Sequence, residues 1–426
     1  MKKARTLISA LLCAAMLIPA TSCSSSDKPL VTEQTGQVEI TLSWWGNDAR
    51  NEYTIEGVRQ FMELHPEIVV KCSYSEWSGY ESRNNVKMVS NTEADVMQIN
   101  YGWLDKYSPD GTGYYDISTL SDQIDLSNFD DKMLEYGKVN GILNAIPIAM
   151  NVETVYSNQT VLSKYRLQTP STFDDFFEAA KVLSKDDIYV TGGTDKSIWL
   201  FCIAYGEQTT GKKILNDNGT LNFTADDFAV MIDFYCRLIN EKVIPQVEYY
   251  DRIHITDGTY AGSVAWVSDA KNYCGGAVEA GNTMTVADYT SANSAPNGTG
   301  WYSKPATMYA ISKNTEHPKE SAMLLDFLLN SSEMAELQGI EKGIPLSKSA
   351  RAYLESQGKL DGLQYQASLK MESNEFLTPI DPIIENSDLV DSFVNSCDLV
   401  LYDKAELNEA ASQFEQSFND LLAANK

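Results

Sequence analysis

Two hydrophobic periods alternate along the first part of the chain. Every second residue from Val38 to Trp44 is apolar, as in a half-buried β-strand, and the pattern returns from Ile68 to Tyr74. Between these stretches, apolar residues three or four apart predict a helix over residues 49–65. A second helical stretch leads to a third strand, predicted over 95–100. Strand–helix–strand repeats of this spacing form a parallel sheet with right-handed crossovers, so the sequence predicts an α/β fold.

Aromatic and polar side chains follow each of these three strands. They lie in the segments Trp45–Arg50, Glu76–Tyr80 and Asn100–Trp103. In such sheets ligands bind beyond the carboxyl ends of the strands, where the three loops converge. Aromatic faces suit the C–H groups of pyranose rings, and sugar hydroxyls need both donors and acceptors. The combination therefore predicts a sugar-binding edge.

The middle of the chain continues the α/β pattern over a length that suits two domains. Thr172 and Asp175 have the spacing of a capping box at a helix start, and apolar residues three or four apart predict another helix over 228–238. A chain of 426 residues is too long for a single core of ordinary size.

The chain begins with features of an export signal. Lys2, Lys3 and Arg5 precede an apolar run over 7–20, about 14 residues, whereas a membrane-spanning helix needs roughly 20. Cys23 follows small residues and precedes a serine-rich tether. This pattern resembles a bacterial lipoprotein signal, in which Cys23 becomes the lipidated first residue. Because Ala20 stands where that signal usually has Leu, Val or Ile, ordinary cleavage before Cys23 without lipidation remains the alternative.

Charge and residue types exclude several classes of function. The chain has 33 basic and 59 acidic residues, a net charge of −26, and no basic cluster. Such a surface repels phosphate backbones, so we expect no nucleic-acid partner. The three histidines lie far apart without an HExxH or CxxC motif, so we expect no metal site, no cofactor and no histidine-based catalytic triad. The cysteines after Cys23 are five in number and form no disulfide framework.

Several short segments, in this order, resemble one family. They are Trp44–Gly46, Asp95–Asn100, Ile146–Pro147, Thr169–Asp175, Gly262–Trp266, Ile311–Lys313, His317–Ala322, Phe327–Leu329 and Gly343–Ser347. In order and spacing the chain is similar to the extracellular solute-binding proteins, family 1, of carbohydrate ABC transporters.

The resemblance implies a two-lobed periplasmic-binding-protein-like fold of type II, with a ligand cleft between the lobes. The expected divisions are a signal peptide over 1–22 and a lipidated cysteine with a flexible tether over 23–36. Lobe one is expected over 37–147 and 306–342, and lobe two over 148–305 and 343–426. The chain would cross between lobes near Pro147, Pro305 and Gly343.

The resemblance also implies a function. The expected protein is a monomer, anchored by lipid to the outer face of the cytoplasmic membrane, that captures an oligosaccharide and delivers it to ABC transporter permease subunits. Within the family, the Trp-Trp-Gly-Asn-Asp opening and the Gln98–Asn100 stretch look most like members that take oligosaccharides. Two alternatives stay open: another solute such as a polyol, glycerophosphodiester or peptide, and a secreted glycoside hydrolase with paired carboxylates.

The candidate ligand-binding residues come from both predicted lobes. In lobe one they are Trp45, Asn47, Asp48, Arg50, Trp77, Gln98, Asn100 and Trp103. In lobe two the family positions are Trp199, Trp266, Asp269 and Trp301, for each of which core packing is the alternative.

Local alternatives apply to several lobe-one candidates. Trp44 shares the face of Val38 and is expected in the core, whereas Trp45 has the opposite parity. Asp48 is a ligand contact or a helix cap. Arg50 opposes the helix dipole in the first turn, which favours a hydroxyl contact or an ion pair with Asp48.

The other lobe-one candidates have alternatives of the same kind. Trp77 lies in a polar loop, where an indole is costly unless something covers it, which favours binding. Gln98 and Asn100 share one strand face, and buried amides need partners. Trp103 either binds ligand or packs under Tyr107.

Overall fold

The computed structural model describes residues 36–292, 295–296 and 298–424. The expected signal peptide, Cys23 and nearly all of the tether lie outside the described residues. The described chain contains ten strands: β1 (Val38–Trp45), β2 (Ile68–Ser75), β3 (Val96–Ile99), β4 (Lys138–Val139), β5 (Ile142–Leu143), β6 (Ala145–Asn158), β7 (Gly262–Trp266), β8 (Met284–Val286), β9 (Tyr302–Ile311) and β10 (Thr378–Pro379).

Sixteen α-helices accompany these strands in the same residues. They are α1 (Asp48–Leu64), α2 (Trp77–Ser90), α3 (Trp103–Tyr107), α4 (Asp131–Leu134), α5 (Gln159–Lys164), α6 (Phe173–Leu183), α7 (Asp195–Thr210), α8 (Ala225–Asn240), α9 (Ile253–Thr256), α10 (Ala270–Glu279), α11 (Pro318–Asn330), α12 (Ser332–Gln338), α13 (Lys348–Ser356), α14 (Gly362–Glu372), α15 (Ser387–Leu401) and α16 (Leu407–Ala424). In the described part of the chain, no helix is both long and apolar enough to cross a membrane.

The strands confirm the α/β prediction for the first part of the chain. β1 pairs in parallel with both β2 and β3, and the helices α1 and α2 connect them. The full order is β2–β1–β3–β9–β6–β7, with β10 beside β9 and β8 beside β6. β9 runs antiparallel to both β3 and β6, a pairing between distant segments that the sequence pattern did not predict.

One long strand links two groups of buried side chains. β6 is buried along its whole length; its first part, to Val152, pairs with β9, and its last part, from Glu153, pairs with β7 and β8. Ile148 belongs to a core with β1, β3, α1 and α11, whereas Met150 belongs to a core with α6, α7, α8, α15 and α16. The change of core thus occurs next to Pro147.

The two other expected crossings lie beside this strand. On β9, Tyr302 packs on the second core and Tyr309 lies in the first. Gly343 has φ +103°, and a Cβ there would come within 2.5 Å of the Ala149 Cβ, so only glycine suits this close approach to β6. The backbone N–H of Leu346 then donates to the Ile148 carbonyl at 3.0 Å.

The segment after Gly343 does not enter the second core at once. α13 packs against α11 and α12, and the Ser349 hydroxyl at its start donates to the Asn330 carbonyl at 2.7 Å. The first helix to pack on the second core is α14, through Ala367 and Met371. The domain boundaries themselves stay a prediction, with α13 placed on the side of the first core.

Capping explains where two predicted helices begin. The Thr172 hydroxyl accepts from the Asp175 N–H while the Asp175 carboxylate accepts from the Thr172 N–H, which confirms the predicted capping box of α6. A second capping box, between Thr224 and Asp227, starts α8, which covers the helix predicted over 228–238.

Candidate functional site

Three tryptophans meet at the carboxyl ends of β1, β2 and β3. Trp45 ends β1, Trp77 begins α2 just after β2, and Trp103 begins α3 just after β3. The Trp45 and Trp77 ring centroids are 4.9 Å apart in an edge-to-face arrangement, and Trp77 and Trp103 stack at 5.9 Å. We call Trp45, Trp77 and Trp103 the indole cluster. The loops therefore converge as the strand ends predicted.

The members of the indole cluster differ in exposure. Trp77 is 38% exposed, Trp45 is half-buried and Trp103 is 4% exposed. Trp103 also packs edge-on against Tyr107 with 6.0 Å between centroids, the alternative that the sequence left open. Trp77 is thus the most exposed ring of the indole cluster, and the buried Trp103 ring stacks against it.

Trp44 lies on the opposite face of β1 from Trp45. Its ring is fully buried, stacks on Tyr74 at 4.8 Å, and donates through Nε1 to Asn51 Oδ1 at 2.9 Å. The strand parity predicted this core position.

The start of α1 carries three candidate residues. The Asn47 side chain, not that of Asp48, caps the helix by accepting from the Arg50 N–H at 3.0 Å. Asp48 is exposed in the first turn, where a carboxylate complements the helix dipole. The Arg50 guanidinium turns away from this turn and donates through Nη2 to the Glu341 carbonyl at 2.9 Å.

Gln98 and Asn100 have different surroundings. Gln98 is 1% exposed, and its Oε1 has no hydrogen-bond partner among the described residues. Asn100 is half-buried, and its Oδ1 accepts from the Gly102 N–H at 3.1 Å, which fixes the turn that presents Trp103. Of the two amides, Gln98 is the one with an unused acceptor.

A lysine that the sequence did not single out lies beside Arg50. Lys342 is 2% exposed and donates to the Tyr309 hydroxyl at 2.8 Å, with its ammonium 5.8 Å from the centre of the Tyr53 ring. Burial and the positive charge of Arg50 lower the pKa of Lys342 to about 7. The Tyr53 hydroxyl and Arg50 Nε are buried without a hydrogen-bond partner among the described residues.

The lobe-two candidates separate into two groups. Trp199 and Trp301 are 0% and 2% exposed, and their Nε1 groups donate to the Ile384 and Thr290 carbonyls. Both are core residues in this structure, because their rings pack on neighbouring aromatics and no ring face is free. For Trp199 and Trp301 the structure therefore supports core packing, the alternative to ligand contact.

Trp266 and Asp269 form the second group. Trp266 ends β7 half-buried, and the Lys304 ammonium lies 4.4 Å from its ring centre. Lys304 also bonds both carboxylate oxygens of Glu385, at 2.6 and 2.7 Å. Asp269 is half-buried next to the start of α10 and accepts from Asn272 Nδ2 at 3.1 Å. Lys304 thus brings a carboxylate and an indole together, those of Glu385 and Trp266.

A buried carboxyl group adjoins Trp266 on β6. Glu153 is paired with Trp266 in the β6–β7 register and is 1% exposed. The Ser197 hydroxyl donates to Glu153 Oε1 at 3.0 Å, while Oε2 has no partner among the described residues. Burial, chiefly, raises the pKa of Glu153 to about 8, so the group is largely protonated at neutral pH. No sequence pattern indicated this residue.

The candidate residues together present aromatic rings, unused amide and hydroxyl groups and a few charges. Such a combination suits a polar solute that contains rings. Residues 45–335 match the family described as bacterial extracellular solute-binding protein. That is more than half of the chain. The chain belongs to the bacterial extracellular solute-binding proteins.

Solved structures agree with this membership. A periplasmic oligogalacturonide-binding protein from Yersinia enterocolitica, in complex with saturated digalacturonic acid, is 29% identical with a TM-score of 0.82 over 91% of this chain and 100% of its own. A periplasmic solute-binding protein from Pectobacterium atrosepticum is 27% identical with a TM-score of 0.84 over the same shares. The solute-binding protein described here therefore has the fold of the two-lobed periplasmic solute-binding proteins.

A designed protein has a similar structure. A de novo designed cysteine esterase is 29% identical with a TM-score of 0.82 over 92% of this chain and 100% of its own. Its esterase activity was put there by design and carries no information about a natural solute-binding protein. Within the described ranges, no group of three or more His, Cys, Asp or Glu side chains is arranged to hold a metal ion.

Proposed function

We propose that this solute-binding protein captures an oligosaccharide between its two cores and delivers it intact to the permease subunits of a carbohydrate ABC importer. The observation that carries the proposal is the indole cluster, in which the half-exposed Trp77 ring is supported by Trp45 and Trp103. An indole face supported by neighbouring rings suits the C–H face of a pyranose ring. The sugar bound by the Yersinia enterocolitica relative supports the same class of ligand.

The proposed contacts come partly from the side of the first core and partly from the side of the second core. On the side of the indole cluster they are Trp45, Asn47, Asp48, Arg50, Trp77, Gln98, Asn100 and Trp103. On the other side they are Trp266 and Asp269. Trp199 and Trp301 are left out because both are buried in the second core.

The proposed setting is the cell surface. Cys23 carries lipid in this proposal, and the following residues act as a tether that keeps a monomeric protein at the outer face of the membrane. Two or more acyl chains hold a protein stably on a bilayer, whereas one does not. No cofactor and no nucleic acid take part.

A glycan array followed by calorimetric titration tests the proposal. We expect one class of oligosaccharide to bind with micromolar affinity, which corresponds to about −8 kcal/mol. Stacked rings and hydroxyl contacts are sufficient for that value. Polyols and short peptides are titrated under the same conditions as the alternative ligands. Binding of one of these, with no oligosaccharide bound, would assign the protein to another solute.

A further inference from the structure

Two cations lie together in this molecule without a carboxylate partner. Lys342 donates to the Tyr309 hydroxyl, and Arg50 donates to the Glu341 carbonyl. Neither makes an ion pair with any described carboxylate. Glu341 directly precedes Lys342 in the sequence, but its carboxylate bonds the Lys271 ammonium at 2.8 Å.

This arrangement costs free energy in the absence of an anion. A buried ion carries a desolvation penalty of several kcal/mol, which a partner of opposite charge offsets. Lys342 is 2% exposed, and after burial the like charge of Arg50 lowers its pKa further. In a chain with 59 acidic and 33 basic residues, two unpaired cations side by side are not explained by composition.

Unused hydrogen-bonding groups surround the same place. Arg50 Nε, the Tyr53 hydroxyl and Gln98 Oε1 are buried without partners among the described residues, and Gln98 is 1% exposed. Gln98 and Tyr309 are directly opposite each other in the β3–β9 register. Buried polar groups are almost always hydrogen-bonded in native proteins, so this set points to a ligand that carries negative charge and hydroxyl groups together.

We propose that Arg50 and Lys342 bind the carboxylate of an acidic oligosaccharide, one that contains a uronic acid residue. This inference rests on the proposed function and adds the class of sugar. The planar guanidinium of Arg50 matches a carboxylate through parallel N–H donors, and the Lys342 ammonium adds a second charge. Gln98 and Tyr53, whose polar atoms are unused, then bond ring hydroxyls.

The pair also makes acidic-sugar binding depend on pH. The groups facing Lys342 are Arg50 and Tyr53 from α1, Tyr309 from β9 and the adjacent Glu341. Burial raises the pKa of both tyrosines, so they stay neutral. The pKa of free Lys342 is about 7, and a carboxylate beside it raises that pKa. Affinity for the acidic sugar therefore falls as pH rises above 7, whereas affinity for a neutral sugar does not.

Calorimetric titration with two matched disaccharides tests the inference. The probes are digalacturonic acid and the neutral galactobiose of the same linkage. We expect the acidic sugar to bind at least tenfold tighter at pH 6.5, with the ratio narrowing at pH 8.5 and at high ionic strength. Lys342→Met, which keeps chain length and removes the charge, should reduce the ratio at least tenfold without weakening neutral-sugar binding. Arg50→Gln should reduce the ratio as well.

A surface lysine supplies the control. Lys359→Met removes the same charge from an exposed pair with Glu336 and should leave the ratio unchanged. Equal affinity of the wild-type protein for both sugars, or an equal loss for both in Lys342→Met, overturns the inference and leaves the proposed function standing. If no mono-, di- or oligosaccharide binds to a protein that melts cooperatively, the proposed function fails and this inference fails with it.

Discussion

Replacing Trp77 by alanine separates a binding role from a packing role. The Trp77 side chain is 38% exposed, and its ring packs edge-to-face with Trp45 and stacks on Trp103. Part of this ring is already in solvent, so its truncation should lower the free energy of unfolding by less than the about 3–5 kcal/mol expected for a fully buried Trp. If the exposed face holds a sugar, binding should be weakened as well.

The expected loss of binding free energy can be estimated from what a Trp ring contributes at a recognition site. Aromatic contacts contribute roughly 0.5–1.5 kcal/mol beyond the area that they bury, and truncation of a central tryptophan at a recognition site costs about 2 kcal/mol or more. Since every 1.4 kcal/mol is tenfold in affinity, Trp77→Ala should weaken sugar binding by about thirtyfold or more.

Trp44→Ala should do the reverse. Trp44 is fully buried, stacked on Tyr74 and hydrogen-bonded to Asn51, so its removal leaves a large cavity and an unpaired amide oxygen. Truncating a buried Trp costs about 3–5 kcal/mol of stability. The folded fraction of this variant should bind sugar nearly normally, because the ring faces away from the indole cluster.

Calorimetric titration beside thermal melts of both variants measures the two effects. Tyr249→Ala is the control for a truncated exposed ring, since Tyr249 is 67% exposed and lies between α8 and α9. If Trp77→Ala melts early but binds normally once folded, the indole cluster is packing and the site lies elsewhere.

Three further outcomes are expected. Cys23→Ala should leave the protein unprocessed or shed it into the medium, as followed by membrane fractionation; equal membrane retention at normal processing would remove the lipid assignment. A bound oligosaccharide incubated with the protein for a day should be recovered intact by chromatography, whereas sustained release of shorter sugars would favour a hydrolase. Between pH 4.5 and 8 the contribution of Glu153 to the free energy of unfolding should fall by up to about 5 kcal/mol, because folded Glu153 keeps a proton that the unfolded chain releases. Glu153→Gln should therefore make the decline with pH shallower in denaturant titrations, and an unchanged slope would refute the account of Glu153.

The sequence predicted those features that depend on local periodicity. The alternation over 38–100 predicted β1, α1, β2 and β3, and their carboxyl ends predicted that Trp45, Trp77 and Trp103 would meet. Strand parity separated buried Trp44 from Trp45. These inferences succeed because each helix or strand has one buried face, and the spacing of apolar residues indicates which face that is.

Features that depend on distant packing were not predicted. α7 is buried on nearly all sides, so no apolar stripe distinguishes Trp199 from a residue that faces a cleft. Lys342 is buried beside Tyr309 and Tyr53, which come from β9 and α1, far away in the sequence. Glu153 lies on a strand buried along its whole length, and its protonation follows from that burial. No local pattern in a sequence contains such information.

A crystal structure of the protein grown with a bound oligosaccharide tests the central claim most directly. We predict one sugar chain with a pyranose face on Trp77, further contacts from Trp266 or Asp269, and a hydroxyl or carboxylate within hydrogen-bond distance of Arg50. Sugar bound away from the indole cluster, or a non-carbohydrate solute in its place, would contradict the account.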